Sequence, residues 1–190
     1  IALITSLLAW SLPTFWLGII LLFWGSTNAG LPVGGRVTPG MDFANWWDEW
    51  VDIGRHLLLP TLTYTIVFMG EYMLVMRSTL VEVLSQDYIL TAKAKGLNRF
   101  QILKDHALKN AMLPMVTIIA INLGFTVAGA LQIETVFSWP GLGAAIYESV
   151  QRRDYPMLQG AFLLIAVSVI VANLLAELTY SFLDPRVQTE

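Results

Sequence analysis

Apolar residues gather into four stretches long enough to cross a bilayer, and polar positions collect between them. A hydrocarbon core of about 30 Å needs roughly 20 helical residues at 1.5 Å each. Residues 1–24 carry no charge, and the first ionisable side chain is Arg36. Residues 57–77 enclose one acid, Glu71, and end on Arg77. Residues 111–133 are uncharged, and 157–182 hold only Glu177 near the far end. The pattern predicts an all-α, polytopic membrane bundle with four transmembrane helices in one domain, 1–190, joined by loops 25–56, 78–110 and 134–156.

Composition agrees. The chain is 56% hydrophobic and 13% charged, against roughly 25% charged in ordinary soluble domains. Eleven basic and fourteen acidic residues give a net charge of −3, so no basic field exists to hold nucleic acid. With no cysteine, disulfides, thiolate metal sites and a cysteine nucleophile are excluded. Direction follows from basic residues, which stay on the cytoplasmic side of short loops. Arg77, Lys93, Lys95, Arg99, Lys104 and Lys109 all lie in 77–110, so that segment should be cytoplasmic. Trp24, Trp46, Trp47, Trp50 and Trp139 then fall at the outer ends, as interfacial tryptophans do, and the tail Asp184–Glu190 faces the cytoplasm. Because the sequence starts at Ile1 inside an apolar run, it reads as the later part of a longer protein, not as a signal peptide.

The basic loop is the most informative segment. Residues 78–95 lack Gly and Pro, and Leu80, Leu84, Tyr88 and Ala92 recur every four positions, which predicts a helix running on from the second span with one apolar face. Gly96 sits where a helix end wants positive φ. Asn98 with Gln101 has capping-box spacing, and Phe100, Leu103 and Ala107 form the stripe of a second short helix reaching Asn110. Such a helix can dock into a partner's groove or rest on anionic lipid; the pattern alone serves both.

Particular residues carry a family likeness. Tyr88-Ile-Leu-Thr-Ala-Lys-Ala-Lys-Gly96-Leu97 followed by His106-Ala-Leu-Lys-Asn-Ala-Met-Leu-Pro114 resembles the EAA loop of binding-protein-dependent ABC importer permeases, in the dipeptide, oligopeptide and nickel branch. The likeness extends to Ser11-Leu-Pro-Thr-Phe-Trp-Leu-Gly18, His56-Leu-Leu-Leu-Pro60, Glu134-Thr-Val-Phe-Ser-Trp-Pro-Gly-Leu-Gly143, Arg153-Asp-Tyr-Pro156 and Leu183-Asp-Pro-Arg-Val187. Leu90 and Thr91 replace the Glu and Ala of the general loop, and the spacing from Gly96 to Leu113-Pro114 is longer than in the general pattern; both are typical of the peptide branch.

The resemblance implies a type I ABC importer permease fold with a cytoplasmic coupling helix. It implies partners too: a homologous second permease, two ATP-binding subunits that hold the ATP and Mg, an extracytoplasmic substrate-binding protein and membrane lipid. On that reading Ala92, Gly96, Leu97, Asn98, Arg99, Phe100, Leu103 and His106 serve coupling to the ATPase subunits, with Gly96 a hinge or an ordinary helix cap. Glu71, Asn122, Gly124 and Ala128 are candidates for the substrate pathway, although Gly124-x-x-x-Ala128 fits close helix packing equally well. Glu134, Trp139, Pro140 and Gly141 belong to a bent outer element on the binding-protein side, with Trp139 alternatively a plain interface anchor.

No cofactor, metal or catalytic residue is expected in the chain itself. None of its fourteen glycines precedes a lysine, so a phosphate-cradling Gly-Lys-Ser/Thr loop is absent. Neither Gly-x-Ser-x-Gly nor His-Glu-x-x-His occurs. Moving a gate from 1:99 to 99:1 needs about 5.5 kcal/mol of differential binding, which must come from a partner. The expected function is peptide import in the inner membrane. A nickel permease is the alternative within the family; an ATP-independent channel or ion-driven carrier is the alternative outside it.

Overall fold

The computed structural model describes residues 2–127 and 130–183. Among these every regular element is helical. Helix α1 (Ala2–Ser11) and α2 (Thr14–Asn28) are separated at Leu12-Pro13 and bent by 96°. The span expected over 1–24 is therefore carried by two helices that meet at a sharp bend. Pro13 supplies no N–H and drives the preceding residue out of the helical region, so it occupies the N-cap of α2 at φ −58°, ψ 127°.

Helix α3 (Trp46–Leu84) is 39 residues long, about 58 Å at the helical rise and nearly twice a hydrocarbon core. Arg55 and Arg77 lie about 33 Å apart along it, with Glu71 the one acid between them. Helix α1 meets Gly70 of α3 through Ser6 and Trp10, and α2 meets Leu59 of α3 through Gly25.

The helix predicted to run unbroken to residue 95 stops at Leu84 and restarts as α4 (Asp87–Ala94). Ser85 turns the chain, its hydroxyl donating to the Glu82 carbonyl at 2.6 Å. The break rotates the apolar face, so Ile89 and Ala92 are buried with Ile102 and Ala107, whereas Leu84 and Tyr88 of the expected stripe are exposed.

Helix α5 (Arg99–Gln101) passes through a π-helical turn, Ile102–Ala107, into α6 (Leu108–Val127). The short loop helix and the third span are thus one rod, Arg99–Thr126, of 28 residues, and not separate elements divided at Asn110. The outer part of the expected 111–133 span is likewise separate: α6 ends at Val127, and α7 (Leu131–Val136) follows. Helix α8 (Leu142–Arg152) and α9 (Tyr155–Leu183) complete the fold. Among the described residues three helices are long and apolar enough to cross a membrane, or up to four crossings if the bent α1–α2 pair makes one. Phe23, Leu163 and Ile170 are each more than three-fifths exposed, a surface suited to lipid or another membrane subunit and not to water.

Candidate functional site

A cavity of about 720 Å³ opens between α3, α6 and the α7 corner. One wall is a ladder of rings at four-residue spacing on α3. Tyr64 and Phe68 stack at 5.1 Å with planes 2° apart, and Phe68 and Tyr72 at 6.2 Å and 27°. The opposite wall carries Asn122 and Thr126 of α6, and the α7 corner adds Glu134 and Trp139. The Asn122 amide donates to Glu71 Oε2 and to the Tyr72 hydroxyl, both at 3.2 Å, which ties α6 to α3 within the bilayer span. Among the described residues no Lys, Arg or His lines the cavity.

The corner at one end of the cavity is built around Glu134. Its carboxylate accepts from the Ala130 amide at 3.0 Å and the Ala144 amide at 2.7 Å. The second amide is at the third position of α8, one of the N–H groups a helix start leaves without an internal partner. Gly141 and Gly143 make the approach possible. A Cβ on Gly141 would overlap the Glu134 carboxyl group, and one on Gly143 would sit 2.8 Å from the Leu131 backbone nitrogen.

The segment joining α2 to α3 is strapped down at two points. Gly35 donates to the Phe137 carbonyl at 2.8 Å. Thr38 gives its amide and its hydroxyl to the two oxygens of Asp52, each at 2.7 Å. His56, buried one turn along, has Nδ1 2.9 Å from the Asp52 carbonyl.

The other functional region is the start of the rod. The chain leaves α4 through a Schellman arrangement, in which Leu97 donates to the Ala92 carbonyl and Gly96, at φ +80°, to that of Lys93. Asn98 Oδ1 then accepts from the Gln101 amide at 2.9 Å while Gln101 Oε1 accepts from the Asn98 amide at 3.0 Å, a complete capping box. The π turn sets which face is inward. Ile102 and Ala107, five apart, are both buried against Ile89 and Ala92, so the expected stripe of Phe100, Leu103 and Ala107 does not form. Phe100 is left 71% exposed and Leu103 41%. Asn110 closes the unit by donating to the Tyr88 hydroxyl at 2.9 Å.

Residues 1–189 match the sequence profile of the family described as binding-protein-dependent transport system inner membrane component. The chain belongs to that family. Among relatives of this inner membrane component is the dipeptide transport system permease protein DppB of Escherichia coli strain K12, 40% identical over 96% of this chain and 59% of its own length. The di/tripeptide transport system permease protein DppB of Pseudomonas aeruginosa is 36% identical over 96% of this chain and 59% of its own. The oligopeptide transport system permease protein AppB of Bacillus subtilis is 37% identical over 97% and 57%. The chain thus spans somewhat over half the length of these relatives. It is a multi-pass membrane protein with the all-helical permease fold of its family.

The inner membrane component distributes the sequence-predicted residues unevenly. Asn98, Arg99, Phe100 and Leu103 are exposed together, with His106 half-buried beside them, whereas Ala92 is buried beneath, Leu97 packs against its cluster and Gly96 is exposed. Asn122 lines the cavity and Glu71 stands behind it. Gly124 faces away, buried against Val169 of α9, whose Cγ2 would lie 3.1 Å from an added Cβ. Ala128 lies outside the described residues. Glu134 is buried and Trp139 half-buried at the cavity wall, with Pro140 exposed and Gly141 half-buried at the corner. Sequence reasoning missed the ring ladder, although Tyr64, Phe68 and Tyr72 stand at i, i+4 and i+8, the spacing of one helix face. It also missed the Thr38–Asp52 clasp, which no local spacing encodes.

Proposed function

We propose that this chain is the membrane permease subunit of an ATP-driven, binding-protein-dependent importer of short peptides. Its cavity is one wall of the peptide's route. The rod from Arg99 to Thr126 is the lever that opens it, since it carries exposed Phe100 and Leu103 at one end and the cavity residues Asn122 and Thr126 at the other. That continuity is the observation that carries the reading. Asn122 lies about 33 Å from the exposed Phe100 along a continuous helix, so force applied at one end arrives at the other without crossing a flexible loop.

In this reading the basic end of the bundle is cytoplasmic, as is the C-terminus, and Asn98, Arg99, Phe100, Leu103 and His106 dock in a cleft of a separate ATP-binding subunit. Two such subunits hold ATP and Mg; this chain has no nucleotide site and is not itself an enzyme. A homologous second permease closes the route, and an extracytoplasmic receptor delivers cargo at the Trp139–Gly141 corner. Gly96 is the hinge that lets α4 and the rod change angle, and its φ of +80° makes any β-branched replacement strained. The names of the relatives, dipeptide, di/tripeptide and oligopeptide permeases, support peptide as cargo.

Reconstitution tests this. The full-length permease with its partner permease, ATPase subunits and receptor should accumulate dipeptide in vesicles only with ATP and all subunits present. Uptake without the ATPase subunits would overturn the importer reading.

A further inference from the structure

The cavity's formal charge is one-sided. Among its described lining residues the one carboxylic acid is Glu134, and no Lys, Arg or His is present. Two of the polar groups facing it on α6 have their hydrogens already committed. Asn122 spends its amide on Glu71 and Tyr72, leaving Oδ1, and the Thr126 hydroxyl donates to the Asn122 carbonyl at 2.7 Å, leaving lone pairs. Directly behind Asn122, the Glu71 carboxylate has no cation within ion-pairing distance among the described residues, where the ion pairs are Asp52–His56 and Glu148–Arg152. Carboxylates at membrane depth are costly, face protein interiors and pair with a partner. Here two of them flank a cavity whose described lining offers acceptors, neutral hydroxyl and indole groups and apolar rings but no positive charge.

We propose that this cavity receives the cationic end of the cargo, the ammonium group of the peptide's amino terminus. The inference rests on the importer reading above. An ammonium brings three donors and no acceptor, the complement of what Asn122, Thr126 and Glu134 leave unused. Glu71 acts through Asn122, fixing its amide and adding negative potential, and is a positioning residue. The ladder of Tyr64, Phe68 and Tyr72 extends about 12 Å along α3 and gives an apolar surface without side-chain specificity, fitting cargo that shares a backbone but not its side chains. A cargo carboxylate finds no cation on this wall, so the group that meets it belongs to the second permease subunit.

The test depends on the sign of an added charge. Thr126 and Thr65 line the cavity from opposite walls, both are exposed, and Thr126 is bonded only to its own helix. In the complete importer, reconstituted in vesicles with a saturating loaded receptor, turnover of one free-amine dipeptide is measured for Thr126→Lys, Thr126→Asp and Thr126→Met. The Lys variant should take up at least tenfold less dipeptide than either the Asp or the Met variant. The same three changes at Thr65 repeat the comparison should a Thr126 variant fail to assemble. Equal losses for Lys and Asp, or a Lys variant as fast as Met, would overturn the proposal. Both outcomes leave ATP-dependent uptake by the unmodified importer intact, and only the loss of that would count against the importer reading.

Discussion

Glu134 and Gly141 touch so closely that one methyl group on the glycine would overlap the carboxyl group. The carboxylate reaches the start of α8 because nothing stands between them. Gly141→Ala should therefore force the carboxylate off the Ala144 amide and cost about 1–3 kcal/mol. A lower melting temperature of the purified chain would register it; an unchanged one would contradict the contact. Glu134→Gln retains one acceptor for two amides and should lose a similar amount.

Where α1 crosses α3, a Cβ on Gly70 would lie 2.9 Å from both the Ser6 carbonyl oxygen and the Trp10 nitrogen. Both are backbone atoms and cannot turn aside, so Gly70→Ala should destabilise by about 1–3 kcal/mol. Gly54, earlier on the same helix, has nothing within 4 Å. There, Gly54→Ala should stabilise by about 0.5–1 kcal/mol through helix propensity. Thermal unfolding of the two variants side by side checks the opposite signs, and a shared sign would refute the crossing.

Removing the Asp52 carboxylate leaves the Thr38 amide and hydroxyl without their acceptor. Asp52→Ala should loosen residues 29–45 at a cost of about 1–3 kcal/mol, seen as faster limited proteolysis within that segment while α9 stays intact. Equal cleavage rates in variant and unmodified chain would show that the Gly35–Phe137 bond alone holds the strap.

Much of this was legible in the sequence where the determinants are local. The lengths of apolar runs announced the spans, and the Asn98–Gln101 spacing announced a capping box whose two bonds the structure contains. Gly96 was readable as a helix end because only the left-handed region at φ +80° closes the Schellman bonds. What escaped depends on register or on distant partners. Ser85 breaks a run with no Gly or Pro to warn of it, and the π turn places Ile102 and Ala107 on one face at a spacing of five, where helical periodicity pairs positions three or four apart. The 96° bend at Pro13 was signalled by the proline but overridden by the length of the apolar run around it. The cavity joins α3 to α6 across about fifty positions, a pairing no single-sequence pattern contains.

The central claim is that the exposed start of the rod is gripped by an ATP-binding subunit. These 190 residues hold no cysteine, so in a full-length permease cleared of any cysteine outside them Phe100→Cys introduces a single thiol, to be paired with single cysteines placed along the cleft of the ATPase subunit. In membranes holding the assembled importer, oxidation should join the two subunits through Cys at this position, stop ATP-driven peptide uptake, and release it again on reduction. A thiol that forms no such bond at any cleft position while the importer keeps working would contradict the account.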